Sequence, residues 1–114
     1  MEVQARVKTI GVSPKNLRNL IDTVRGMRVE DAIASLRFTP IPMARVVRKA
    51  VESAAANAEN NYEMVRDELR IVKITADEGP RMKRFKAKPR GRAAPIIKRS
   101  SHLTVVVDQD DGEE

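Results

Sequence analysis

Three groups of residues in this chain are of types that do chemistry. The single histidine, His102, lies in an alternating stretch next to Arg99, and no residue near it is marked as its partner in a catalytic triad. It reads as a strand residue facing solvent or RNA. Asp77 and Glu78 are the second group, a pair that could hold a metal in a nuclease. Adjacent residues on a strand point to opposite faces, however, and no second cluster of spaced acids supports them. The chain has no cysteine, so disulfides, thiolate zinc sites and a cysteine nucleophile are excluded. Neither a Gly-x-x-x-x-Gly-Lys nor a Gly-x-Gly-x-x-Gly pattern occurs, so no nucleotide-cradling loop is indicated. No catalytic residue, metal site or cofactor is expected.

The third group is different. Between Arg81 and Arg99 stand nine basic residues and no acid: Arg81, Lys83, Arg84, Lys86, Lys88, Arg90, Arg92, Lys98 and Arg99. The whole chain has 22 basic and 16 acidic residues, leaving 13 against 16 elsewhere, so the net charge of +6 is a +9 segment set against a −3 remainder. A compact fold cannot bury nine unpaired like charges, because each ion withdrawn from water costs several kcal/mol. The segment is solvated or it meets a polyanion. Phe85, Pro89, Gly91, Ala93 and Pro95 space the charges, and apolar strand-like stretches bracket them, whereas a plain disordered basic tail would sit at a terminus. Arginine adds bidentate phosphate contacts and can stack on bases. The pattern suits recognition of nucleic-acid shape rather than sequence.

A length of 114 residues implies one domain, and 41% apolar residues suffice for a core. Only 3% are aromatic (Phe38, Tyr62 and Phe85), too few for binding by rows of stacked rings. A pI near 10.1 points to nucleic acid or an anionic surface. No apolar run approaches the roughly 18 residues of a membrane span, and the first ten residues lack a signal-peptide core. A soluble, cytoplasmic protein with no membrane partner is expected.

The elements that must position the basic segment follow from periodicity. Val3, Ala5 and Val7 alternate with polar residues, which is a strand ended by Gly11. Ser13-Pro14 starts a helix as N-cap and first helical residue. Leu17, Leu20, Ile21 and Val24 form its apolar face, Gly26 its stop, and Lys15, Arg18 and Arg25 its polar face. A short second helix is predicted over Val29–Leu36, with Glu30 and Asp31 in its first turn. A third is predicted from about Pro42 to Asn60, with Met43, Val46, Val47, Ala50, Val51, Ala54 and Ala58 inward; its alanines allow close packing. Arg45, Arg48 and Lys49 on it read equally as a solvated face or as facing RNA. Asn60-Asn61 should begin a loop. Leu69–Ala76 and Ser101–Val107 read as strands, with Asp77-Glu78-Gly79-Pro80 as punctuation.

Those last two strands are natural hairpin partners, yet 24 residues separate Ala76 from Ser101, too many for an idle loop. The midpoint, Lys88-Pro89-Arg90-Gly91, has turn composition. The segment therefore reads as two arms of a ribbon, with a reach on the order of 35–40 Å. The predicted fold is α+β: three helices packed on a small antiparallel three-stranded sheet, with a long projecting basic β-hairpin. The body would comprise about residues 1–78 and 100–108, the extended hairpin about 79–99, and an acidic tail 109–114 the remainder. Two binding modes fit: an RNA-scaffold protein threading its arm into a large RNA, or an architectural DNA protein of the HU type with a proline wedge, for which Pro89 would serve. An HU-type chain begins with a helical pair, however, and this one begins with a strand.

Certain residues say more than their spacing. Ser13-Pro14-Lys15, Arg25-Gly26, Glu52-Ser53-Ala54 with Asn57-Ala58-Glu59-Asn60, Asp77-Glu78-Gly79-Pro80 with Lys83-Arg84, Gly91-Arg92-Ala93, and Lys98-Arg99-Ser100-Ser101-His102-Leu103-Thr104-Val105-Val106-Val107 run collinear with one family. The chain resembles the bacterial large-subunit ribosomal protein L22 family from roughly Ala5 to Val107. The resemblance implies a non-catalytic ribosomal protein, without cofactor, that binds 23S ribosomal RNA and helps assemble the large subunit. Its body would lie near the exit of the nascent-peptide tunnel. Its hairpin would line the tunnel wall beside an extension of protein L4, with the nascent peptide passing it and the protein monomeric within the ribosome. Carried over by position, Met82, Lys83 and Arg84, with the turn residues Lys88, Pro89, Arg90, Gly91 and Arg92, would be tunnel-proximal. The rRNA-binding candidates are then Lys15, Arg18, Arg25, His102 and the nine basic residues of the hairpin. The chain departs from the family's common pattern at Asn16, where a basic residue is frequent, and at Ala87, where many members have proline.

Overall fold

The computed structural model describes residues 2–88 and 91–109. The predicted tip residues Pro89 and Arg90 and the acidic tail from residue 110 lie outside the described residues. In chain order the elements are β1 (Val3–Ile10), α1 (Pro14–Ile21), α2 (Val29–Arg37), α3 (Pro42–Tyr62), a single 3-10 turn (Arg66–Glu68), β2 (Leu69–Glu78), β3 (Met82–Lys88), β4 (Arg92–Lys98) and β5 (Ser101–Gln109). The α+β prediction holds. β1, β5 and β2 form an antiparallel sheet in that order, and β3 pairs with β4 in a separate two-stranded ribbon.

β5 is the central strand, and Leu103, Val105 and Val107 on one of its faces are fully buried. Burying side chains of this size contributes about 1.5–3 kcal/mol each. Its neighbours keep their apolar residues on the same face by means of irregularities. In β2 the register slips between Ile71 and Lys73, so an extra residue is inserted there. Leu69 and Ile71 before the slip and Ile74 and Ala76 after it are therefore all buried, although their spacing breaks a strict period of two. β1 has a similar slip between Val7 and Ile10, which returns Ile10 to the core.

The helices cover that face. α3 packs on β1 and β5, α1 on β2 and β5, and α2 on α3 and β2. Ala44, Ala50, Ala54, Ala55 and Ala58 of α3 are all buried, so close approach of a small-residue helix is realised. Met43 and Val46, expected in the core, are only partly buried and pack at its margin.

Three boundaries differ from the sequence reading. α1 is only two turns long. Beyond Ile21 the chain tightens, with Val24 N–H donating to the Ile21 carbonyl at 3.1 Å and the Thr23 hydroxyl to the Leu20 carbonyl at 2.7 Å. Val24 is buried from these turns rather than from the helix, and Gly26 leaves them at φ 80°. Ser13 occupies the N-cap with an extended backbone but makes no side-chain cap bond. α3 does not stop at Asn60. It runs to Tyr62 and closes on Glu63, a non-glycine residue at φ 52°, with Met64 N–H reaching back to the Ala58 carbonyl at 3.1 Å. Finally, Asp77 and Glu78 belong to β2, because β5 offers them partners in His102 and Ser101.

A candidate RNA interface

The ribbon departs from the sheet without a long loop. Glu78 is in register with Ser101, Gly79 N–H donates to the Ser100 carbonyl at 2.8 Å, and pairing resumes at Met82 and Lys98. Two buried serines pin this root. The Ser100 hydroxyl donates to the Pro80 carbonyl at 2.6 Å, and the fully buried Ser101 hydroxyl donates to the Val12 carbonyl at 2.6 Å, tying the ribbon's base to the start of α1. Gly79 is a close-approach position. A Cβ there would stand 2.7 Å from Ser100 Oγ and 3.3 Å from His102 Cε1.

From the root, pairs run from Met82–Lys98 to Lys88–Arg92. Gly91, beside the last pair, has φ 72°, a left-handed conformation that glycine adopts without steric cost. Pro95 is in register with Phe85; in a two-stranded ribbon an outward-facing nitrogen has no neighbour to serve, so the missing N–H is tolerated. The molecule measures 66 × 26 × 23 Å, so its long axis exceeds its width by 40 Å. The radius of gyration is 17.4 Å, against about 13 Å for a compact chain of this length.

The described side chains of the basic segment are exposed. Arg81 pairs with Glu78 at 2.6 Å at the root. The Lys83 ammonium lies 5.9 Å from the centroid of the Phe85 ring, and that ring is 69% exposed, leaving a flat apolar face beside a cation. Arg99 is exposed. The side chains of Arg84, Lys86, Lys88, Arg92 and Lys98 lie outside the described set, as does Arg90.

The body candidates divide. Lys15 is exposed on the first turn of α1. Arg18 uses its Nε to donate to the Ala76 carbonyl at 3.1 Å, covering an edge group of β2, and Arg25 pairs with Asp22 at 3.0 Å. Both have structural employment that the polar-face reading did not foresee. His102 is half-buried on β5, in register with Asp77 and packed at the ribbon root.

Sequence reasoning missed the sheet's open face. Arg6 and Lys8 of β1 and Arg70 and Lys73 of β2 are exposed on the side away from the helices. Register places Arg6, Thr104 and Thr75 in one row, and Gln4, Val106 and Lys73 in the next. Arg70 is in register with Asp108. The signal lies in the polar half of the β1 alternation, where Arg6 and Lys8 stand between the inward apolar residues. Among the described residues no group of three acids, histidines or cysteines could hold a metal, and no helix is long and apolar enough to cross a membrane.

Residues 5–108 match the family described as ribosomal protein L22p/L17e. The chain belongs to that family. Similar proteins include the large ribosomal subunit protein uL22 of three strains of Dehalococcoides mccartyi (195, BAV1 and CBDB1), each 52% identical over 107 residues, which is 94% of this chain and 98% of the relative. Membership makes this a ribosomal protein, a component of a ribonucleoprotein that serves translation, and the resemblance read from its motifs holds. It also displaces the HU-type reading. The match spans the body and the ribbon alike, so the ribbon is part of the family's fold and not an appendage to it.

Proposed function

We propose that this chain is a structural constituent of the large subunit of the cytoplasmic ribosome, where it binds 23S ribosomal RNA and supports subunit assembly. Its ribbon lines part of the nascent-peptide tunnel beside protein L4. Met82-Lys83-Arg84 and residues 88–92 are the tunnel-proximal segment, and the body sits near the tunnel exit. One observation carries the reading. Nine basic residues with no acid occupy a segment that forms a separate two-stranded ribbon on a markedly elongated molecule, 66 × 26 × 23 Å, and the ribbon is fastened at its root by two buried serines. Such an arm is too long and too charged to pack on its own body, and it fits a channel walled by phosphate. Lys15, Arg99, His102 and the open sheet face with Arg6, Lys8 and Lys73 extend the RNA surface onto the body. Arg18 and Arg25 contribute through whatever guanidinium groups their internal bonds leave available.

The test is binding of the purified chain to deproteinised large-subunit RNA over a range of salt. Engagement of about six phosphates gives a slope of log affinity against log salt of roughly −4 to −5. A flat slope refutes the phosphate mechanism. In low salt the chain should sediment with the large subunit, and failure to do so counts against the reading.

A further inference from the structure

We propose a second RNA site, resting on that reading but separate from the ribbon: a groove at the junction of α2 and α3 in which Arg37, Arg45 and Arg48 hold backbone phosphate while Phe38 stacks on a base. The groove has a volume of about 450 Å³. Arg37 reaches it from the last turn of α2, and Arg45 and Arg48 from the first two turns of α3, over a floor that includes the buried Leu36 and Ala44. Arg45 and Arg48 stand three apart on one helix, so their Cβ atoms are about 5–6 Å apart and their charges repel unless an anion joins them.

The charges are not balanced internally. Among the described residues neither Arg37 nor Arg45 has a carboxylate partner. Arg48 has only Glu52, whose Oε1 lies 3.8 Å from Nε, beyond hydrogen-bonding distance. That Nε is buried and makes no hydrogen bond. A desolvated donor without an acceptor is an unfavourable arrangement that native structures seldom leave standing, and a phosphate oxygen would relieve it. No carboxylate occupies the first turn of α3 to compete for the arginines. Phe38, at the C-cap of α2 and next in sequence to Arg37, is 85% exposed. An apolar ring presented to water one residue along the chain from a groove arginine suits a nucleotide, which offers a π-face and a phosphate together. It also assigns the face of α3 that sequence alone left between solvent and RNA.

The test uses the intact chain and deproteinised large-subunit RNA, comparing wild type with the Arg37→Gln/Arg45→Gln double variant. Both side chains are exposed, so the far-UV spectrum and urea midpoint should not change. Losing two phosphate contacts should make the log–log salt slope shallower by about 1.4–1.8, so that the wild type's advantage shrinks roughly 7- to 12-fold between about 50 and 200 mM salt. Phe38→Ala should weaken binding with the slope unchanged. A double variant that keeps the wild-type slope, where the wild type is steep, overturns the groove and leaves the ribbon reading intact. A flat wild-type slope removes the ribbon reading too. If the double variant keeps its RNA affinity but no longer captures a polyglutamate peptide at low salt, the groove belongs to an acidic protein and the RNA assignment is wrong.

Discussion

The substitution Gly79→Ala tests the ribbon root. The φ of Gly79 is not in the left-handed region, so alanine can adopt its backbone and would gain about 0.4–1 kcal/mol by restricting the unfolded chain. Opposing this, the new Cβ would sit 2.7 Å from Ser100 Oγ, closer than real Cβ contacts. The hydroxyl must then leave the Pro80 carbonyl, to which it donates at 2.6 Å in a site where Ser100 is 95% buried. Losing a buried hydrogen bond costs about 1–3 kcal/mol, so the steric term wins and a net destabilisation of about 1–2 kcal/mol is expected. Urea unfolding followed by far-UV circular dichroism measures it. A second variant isolates the cause: Ser100→Ala removes the oxygen that clashes, so adding Gly79→Ala to it should cost little more. The two substitutions should be non-additive by at least about 1 kcal/mol. Strict additivity, or a Gly79→Ala protein as stable as wild type, would refute the account of the root.

Four further outcomes are expected. Leu103→Ala, at the fully buried centre of β5, should destabilise by about 2–5 kcal/mol in the same urea assay. Ala54→Leu should overpack the contact of α3 with the sheet and cost about 1–3 kcal/mol, although leucine is an excellent helix former. Glu63→Gly should stabilise by up to about 1 kcal/mol, measured as a raised thermal midpoint, because it relieves a side chain held in the left-handed conformation. Replacing residues 82–98 by a short Asn-Gly turn should leave a cooperatively unfolding body with a weakened grip on ribosomal RNA; loss of cooperativity would show that the body needs the ribbon.

The fold was legible where periodicity and packing agree. Leu17, Leu20 and Ile21 on α1, and Leu103, Val105 and Val107 on β5, each carry one unbroken spacing, and each is buried. The spacing failed where geometry is set by the partner. Nothing in Leu69–Glu78 announces that an extra residue near Val72 shifts the strand's phase; only pairing with β5 requires it. Asn60-Asn61 is loop-like in composition, yet the helix runs on to Tyr62 with these residues exposed and closes on Glu63 at φ 52°, a conformation its side chain disfavours. The site divides along the same line. Charge density exposed the ribbon because nine like charges in a row need no third dimension to be noticed. The open sheet face escaped because Arg6 and Lys8 lie on β1 and Lys73 on β2, strands far apart in sequence that are brought into one sheet only by pairing with β5.

That division has a physical consequence for how the interface works. The ribbon places its charges far from the body, where they repel one another and no internal carboxylate stands among them except Glu78 at the root. Its direction is therefore set at the root. The body has the opposite economy: Arg18 on the Ala76 carbonyl, Arg25 on Asp22 and Arg66 bridging Glu30 and Glu59 spend their charge on the fold itself. Basic residues on this body are thus poor guides to RNA contact until their internal bonds are known. Arg6, Lys8, Lys73, Arg37 and Arg45, which like Lys15, Arg28 and Lys49 have no such bond among the described residues, are ones whose neutralisation should flatten the salt dependence. Neutralising Arg25 or Arg66 should instead appear first as a change in stability.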